Sequence, residues 1–348
     1  MNKQNPFNIT FGKEPLELIH RGEVIDKILT SFSYENPTEQ LYMLIGPRGC
    51  GKTVLMTSVA NHFQNDKNWI IVDLNPHDNM LDQLASSIYQ RGKLKHLFLK
   101  KDFSFSFQGL SFSIVGENPV TNVFNLLDIM FEYLKKKGIS VLITIDEVNN
   151  NQYMRVFAHS FQSFIRNNYS VFLLMTGLYE NISSLENEKS LTFLYRSPKI
   201  YLEPLNLRAI SYSYMEQLNL SEKQAIVAAK MTQGYAFAYQ LLGYIMFEQQ
   251  KKEIDSDVLK EFDLILDEKS YSKIWSELTQ KEREIVTVIA YDKTTNQEIM
   301  DTLNIKSNSL AVYKGSLKKK GIINTQDRGV ASFALPRFKE FVLFIVNL

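Results

Sequence analysis

Cysteine is almost absent from this 348-residue chain: Cys50 stands alone, which excludes an internal disulfide. Long apolar runs are missing as well. No stretch approaches the roughly 20 residues needed to span a bilayer, and the opening Met1-Asn2-Lys3-Gln4-Asn5-Pro6 carries no apolar signal region. A cytoplasmic protein without membrane association is the resulting expectation. Net charge is scarce too, since 39 Lys and Arg against 38 Asp and Glu leave +1. No global field draws the chain to nucleic acid or lipid, so any such attraction must be local. What remains is ordinary globular composition, 45% hydrophobic and 22% charged, in a length that suits two or three domains.

The most specific motif spans residues 46 to 53. Gly46-Pro47-Arg48-Gly49-Cys50-Gly51-Lys52-Thr53 completes the pattern G-x-x-x-x-G-K-[ST] directly after the apolar run Leu41-Tyr42-Met43-Leu44-Ile45. Glycines at 46, 49 and 51 allow backbone conformations in which successive N–H groups turn inward around a phosphate. The Lys52 ammonium then suits the β- and γ-phosphates, and the Thr53 hydroxyl suits Mg²⁺. A helix predicted over 53 to 63 adds its N-terminal dipole to the same anion site. The pattern implies binding of a nucleoside triphosphate, ATP with Mg²⁺. Cys50 leaves two readings, a thiol activated by the helix N-terminus or a small residue tolerated at a variable loop position.

Hydrolysis needs further groups, and Val141-Leu142-Ile143-Thr144-Ile145-Asp146-Glu147 supplies them at the end of a β-branched run. Asp146 at a strand tip suits the Mg²⁺ shell, and Glu147 suits the general base that polarises water. Trp69 to Leu74 and Ser170 to Gly177 read as further strands separated by helical segments, which predicts an α/β doubly wound parallel sheet. In such sheets ligands bind beyond the carboxyl ends of the strands. Thr176 falls there, either as a hydrogen-bond partner for the γ-phosphate or the attacking water, or as a strand-ending cap before Gly177.

Together, the phosphate loop, the Ile145-Asp146-Glu147 and Leu174-Met175-Thr176-Gly177 strand ends, and Arg196 ahead of Ile200-Tyr201-Leu202-Glu203-Pro204-Leu205 resemble the AAA+/STAND side of the P-loop ATPases. The likeness is strongest to the archaeal-type ATPase family and the origin-recognition initiators of archaea. Phe11-Gly12-Lys13-Glu14-Pro15 and Leu18-Ile19-His20-Arg21-Gly22-Glu23 resemble those families' lead-in to the adenine pocket, although the usual order there is Gly-Arg-Glu. The resemblance implies that Arg196 is an arginine finger offered to a neighbouring copy, which would make hydrolysis depend on a homo-oligomer; the bland alternative is a solvated arginine. It also implies a helical lid beginning at Gly234-Tyr235-Ala236, where Ala236 replaces the usual proline and no sensor arginine is present. Slow turnover follows. A processive motor or protease chaperone fits poorly, because no protease segment and no aromatic pore loop are marked.

Two other segments bear on partners. Phe103 to Ile114 alternates apolar and polar residues around Gln108-Gly109, which predicts a β-hairpin that either packs on the ATPase core or contacts a partner. From Lys273 onward, helices predicted after Thr279, over Asn296 to Leu303 and over Ser307 to Lys320, then strands around Ile322 and Phe333, resemble a winged helix-turn-helix. Lys306, Lys314, Lys318, Lys319 and Lys320 form a local basic row suited to double-stranded DNA through residues 306 to 320, with Ser307, Asn308 and Ser309 beside it. Winged helices also serve as protein-docking modules. The expected organisation is an ATPase core to residue 204, a lid over 205 to 272 and a winged helix over 273 to 348. The expected function is a nucleotide switch that binds DNA, with a signalling scaffold that docks a protein partner as the alternative.

Overall fold

Apolar side chains on both faces of a pleat can be buried only if helices cover both faces, and this requirement shapes the first unit of the fold. The computed structural model describes residues 4–10, 15–91, 106–107, 110–111, 123–325 and 329–347. Within them lie two compact units: residues 21–45 with 55–201, and the described residues up to His20 with 46–54 and 202 onward.

In chain order the first stretch runs α1 (Gly22–Ser33), β1 (Leu41–Ile45), α2 (Lys52–Gln64), β2 (Trp69–Leu74), α3 (Met80–Gln90), β3 (Ser106–Phe107), β4 (Leu110–Ser111), α4 (Val123–Lys136), β5 (Ser140–Ile145), α5 (Gln152–Arg166), β6 (Val171–Gly177), α6 (Tyr179–Glu186), α7 (Thr192–Arg196) and β7 (Lys199–Tyr201). Five strands form one parallel sheet in the order β2-β5-β6-β1-β7. Every residue of β1 and β6 is buried. Alternation divides them between two layers. Met43, Ile143, Leu173 and Met175 face a core shared with Leu84, Leu127, Phe131, Phe161 and Phe164 from α3, α4 and α5. Tyr42 and Phe172 instead meet Phe32 of α1, and Phe172 also meets Trp69, on which Phe63 of α2 stacks. This is the expected doubly wound α/β sheet. Of the expected hairpin, β3 and β4 pair antiparallel with Phe107 opposite Leu110, while the rest of 103–114 lies outside the described residues.

The second stretch runs α8 (Leu207–Leu218), α9 (Glu222–Thr232), α10 (Ala236–Glu248), α11 (Ser256–Leu266), a π-helical turn (Asp267–Tyr271), α12 (Ser272–Ser276), α13 (Gln280–Ala290), α14 (Asn296–Leu303), α15 (Ser307–Lys319), β8 (Ile323–Asn324), β9 (Ser332–Phe333) and α16 (Phe338–Val346). Helix starts follow local chemistry: Ser221 with Gln224, Thr279 with Glu282 and Thr295 with Glu298 each form a reciprocal capping box. The β8–β9 pair is antiparallel, with Ile323 opposite Phe333. The N-terminal segment belongs to this helical unit. Phe7 is buried with its ring centroid 5.8 Å from that of Tyr214 and 5.7 Å from that of Tyr239. Gly243 makes room for it, because a Cβ there would stand 2.6 Å from the ring. Gln240 fastens the segment by accepting from the Asn8 N–H and donating to the Glu17 carbonyl. Among the described residues no helix is long and apolar enough to cross a membrane.

Candidate functional site

Ile45 ends β1, and the chain turns directly into residues 46 to 53. Two of the three glycines carry the conformation that makes the turn: Gly49 has φ +69° and Gly51 φ +95°, values that a side chain disfavours. Helix α2 then starts at Lys52. The Lys52 side chain, 8% exposed, curls back so that its ammonium donates to the carbonyls of Gly46 at 2.9 Å and Pro47 at 2.8 Å. Two of its three N–H donors are thus taken by loop carbonyls. Cys50 is buried, with its sulfur 4.0 Å from the same ammonium.

Residues far along the chain close over this loop. The Tyr235 ring lies against Gly49, where a Cβ would come within 2.2 Å of the hydroxyl, and the Phe237 N–H donates to the Gly49 carbonyl at 3.0 Å. The Tyr235 hydroxyl pairs with Ser270 in the π-helical turn at 2.8 Å. Burial pushes that hydroxyl well above the usual tyrosine range, so it stays neutral. Arg48 grips the Glu277 carboxylate through Nε and Nη2, the shortest contact being 2.8 Å. Burial works to raise the Glu277 carboxyl, but the hydrogen bond and charge of Arg48, helped by Lys273, outweigh it and hold the group below its ordinary range. Finally Gly321, at φ +69°, meets Pro47, since a Cβ there would sit 2.6 Å from the Pro47 ring. The loop motif was legible in sequence, and Gly234-Tyr235-Ala236 stood out as the start of a lid; that Tyr235, Glu277 and Gly321 meet the loop was not, because each approaches only through tertiary packing.

A second cluster forms at the carboxyl edge of the sheet. Asp146 follows β5 and Thr176 lies near the end of β6, and strand pairing sets Ile145 opposite Met175. The fully buried Thr176 hydroxyl donates to Asp146 Oδ1 in a short contact. The Glu147 N–H points at both groups, 3.1 Å from Thr176 Oγ1 and 3.2 Å from Asp146 Oδ1. Glu147 itself takes φ +53°, a left-handed conformation that costs a residue with a Cβ about 1 kcal/mol or more. That turn leaves its side chain exposed beside a buried threonine and a half-buried aspartate. On the neighbouring strands Thr144 donates to Asp73 at 2.8 Å, a pair the sequence gave no reason to single out.

The remaining residues are placed as follows. Arg196 ends α7 with an exposed side chain. Phe11 to Glu14 of the adenine lead-in lie outside the described residues. On α15 the basic row is divided. Lys306, Lys318 and Lys319 are exposed, but Lys314 is buried and donates to Asn296 Oδ1 at 2.7 Å, and Lys320 pairs at 2.9 Å with Glu282, itself 2% exposed. Helical geometry turns Lys314 onto the apolar face with Leu310 and Leu317, so only part of the row faces solvent.

Comparison with known proteins agrees with this architecture. No curated protein sequence matches the chain. A family model described as "Domain of unknown function (DUF8462)" matches residues 268–342. The ORC2 protein of Aeropyrum pernix, in its ADPNP-ADP complexes, is 12% identical and aligns over 97% of this chain and 96% of its own with a TM-score of 0.62. Its ADP form gives 13% identity, 97% of both chains and a TM-score of 0.52, and CDC6P of Pyrobaculum aerophilum gives 15%, 97% and 96%, and 0.50. At such identities the likeness is one of fold. A second family model, described as "ATPase domain predominantly from Archaea", matches residues 19–194, which is 176 of the 348 residues and takes in the loop, Asp146, Glu147 and Thr176. The chain belongs to this family of archaeal-type ATPase domains.

Proposed function

We propose that the chain is an ATP-binding, slowly hydrolysing switch whose C-terminal helices form a winged helix that engages DNA. One observation carries the nucleotide part: the glycine loop continues β1 into α2, while the strand paired with β1 brings Thr176 to the same sheet edge as Asp146 and Glu147. Lys52 exchanges its loop carbonyls for phosphate oxygens, which form stronger charge-assisted hydrogen bonds. Magnesium, when bound, neutralises phosphate charge, and the Thr53 hydroxyl and Asp146 carboxylate are hard oxygen donors of the type it takes. Glu147 accepts a proton from the attacking water, and Thr176 orients Asp146 and the Glu147 backbone. Arg196, exposed at the end of α7, acts on the nucleotide of a second copy. The test is equilibrium binding and turnover in three proteins. Lys52→Ala is expected to lose nucleotide binding, whereas Glu147→Gln keeps binding and loses roughly 100-fold or more of turnover. Undiminished turnover in Glu147→Gln overturns its role.

For DNA, the support is the exposed trio Lys306, Lys318 and Lys319 beside the polar start of α15. Binding to a mixed-sequence duplex is expected to fall steeply with salt and to weaken when these three become glutamine. Lys320 is left unchanged in that variant because Glu282 depends on it. The second reading, docking of a protein partner, is favoured by Val312, which stands 69% exposed in the middle of the same helix. Absence of duplex binding at low salt overturns the DNA reading.

A further inference from the structure

Helix α10 begins without a side-chain cap: Tyr235 holds the N-cap position, and its side chain accepts nothing from the first turn. The first N–H groups of a helix need acceptors from outside it. One such acceptor comes from the glycine loop, where the Gly49 carbonyl takes the Phe237 N–H at 3.0 Å. The two residues before Phe237 meet the loop as well. The Tyr235 ring lies so close to Gly49 that a Cβ there would stand 2.7 Å from its Cζ, and the Ala236 Cβ is 3.8 Å from where a Cβ on Gly51 would stand. Ser270, 2.8 Å from the Tyr235 hydroxyl, fixes the far end of that ring.

A trans peptide is planar and points its carbonyl and its N–H in opposite directions. Because the Gly49 carbonyl is turned out to α10, the N–H of the same peptide, which belongs to Cys50, is turned away from α10. A loop that surrounds a phosphate does so with N–H groups turned inward. We propose that Tyr235 is a positioning residue for phosphate binding: together with the Phe237 N–H it sets the Gly49–Cys50 peptide so that the Cys50 N–H serves the anion. The proposal rests on the nucleotide reading above and names a residue far outside the motif on which that site depends. Tyr235 acts through Gly49, the loop residue its ring covers. The dependence is mutual, since a loop carbonyl caps α10 while the start of α10 sets the loop. A peptide set in advance spares the nucleotide the cost of ordering it on binding.

The experiment titrates the whole chain with magnesium-ATP and with magnesium-ADP, and reads both the dissociation constant and the number of sites per chain. The proteins are wild type, Tyr235→Ala, Tyr235→Leu, Tyr235→Phe, Tyr239→Phe and Lys52→Ala. Tyr235→Ala is expected to bind both nucleotides about tenfold more weakly at an unchanged number of sites, because the set peptide is then populated for only part of the time. Tyr235→Leu keeps apolar bulk over Gly49 and falls between it and wild type; it carries the test if Tyr235→Ala does not fold. Tyr235→Phe keeps the ring and stays within about threefold of wild type. Tyr239→Phe breaks a buried hydroxyl pair of the same helix, with Ser213, and is expected to bind as wild type does. Three results overturn the positioning role and leave the nucleotide reading intact, given that wild type binds and Lys52→Ala does not: wild-type affinity in Tyr235→Ala and Tyr235→Leu, an equal loss in Tyr239→Phe, or fewer sites at an unchanged dissociation constant. Wild type binding no better than Lys52→Ala overturns both.

Discussion

The two units bury their largest side chains by different means. In the sheet unit the core is phenylalanine and aliphatic, with Phe131, Phe157, Phe161 and Phe164 all 1% exposed or less, and the polar backbone is satisfied by strand ladders. In the helical unit four buried tyrosines stand beside Phe7, Phe262 and Phe338, and each tyrosine hydroxyl has a partner. Tyr214 donates to the Tyr239 carbonyl at 2.7 Å, Tyr239 meets Ser213 at 2.7 Å, Tyr235 meets Ser270 at 2.8 Å, and Tyr271 donates to the Pro336 carbonyl. Burial holds all four hydroxyls above the usual range, so they remain neutral. A sheet inherits its register from alternation, but a helix packed on helices does not. Directional hydrogen bonds supply the missing specificity there, and they reach the loop through Tyr235.

This contrast can be broken most severely on the apolar side. Phe161→Ala removes a fully buried ring from the sheet core and is expected to cost about 3–5 kcal/mol, measured by denaturant unfolding. Tyr239→Phe keeps the ring but strands the buried Ser213 hydroxyl, for an expected loss of about 1–3 kcal/mol. Hydrogen exchange would localise that loss to α8 and α10; a loss spread equally over the sheet would deny the two units their separate cores. The smallest effect concerns pH. Burial first, and then the charge of Asp263, push Asp267 up to about 6 from 3.8, with Arg337 opposing. The folded form then holds its proton more tightly than the unfolded form, so this group's favourable contribution is complete below about pH 4 and fades as pH rises through 6. Asp267→Asn should therefore match wild type at pH 4 and exceed it at pH 7 in thermal melts. A variant equally stabilised at both values would remove the titration from the account.

How much of the site was legible differs between its halves. The loop and the Asp146-Glu147 pair could be read because their chemistry needs fixed residue types within a few positions of one another. The strands before them agree closely with expectation, and β1, β2 and α14 begin and end at the expected residues. The basic row of α15 misled in part. Lysines share one sign in a sequence, but a helix of 3.6 residues per turn points them in different directions, and Lys314 and Lys320 turn inward to Asn296 and Glu282. Nor did any local pattern place Phe7 among the tyrosines of the helical unit, since that packing joins residues more than two hundred positions apart.

By itself the sequence determined the elements: where strands run, where capped helices start, and which glycines allow a phosphate loop, all of which depend on neighbours within a turn or a strand. Only the tertiary structure decided that the loop meets Gly321 at Pro47, Glu277 at Arg48 and Tyr235 at Gly49. Those contacts depend on how distant helices pack, and packing is a property of complementary surfaces that no local spacing encodes.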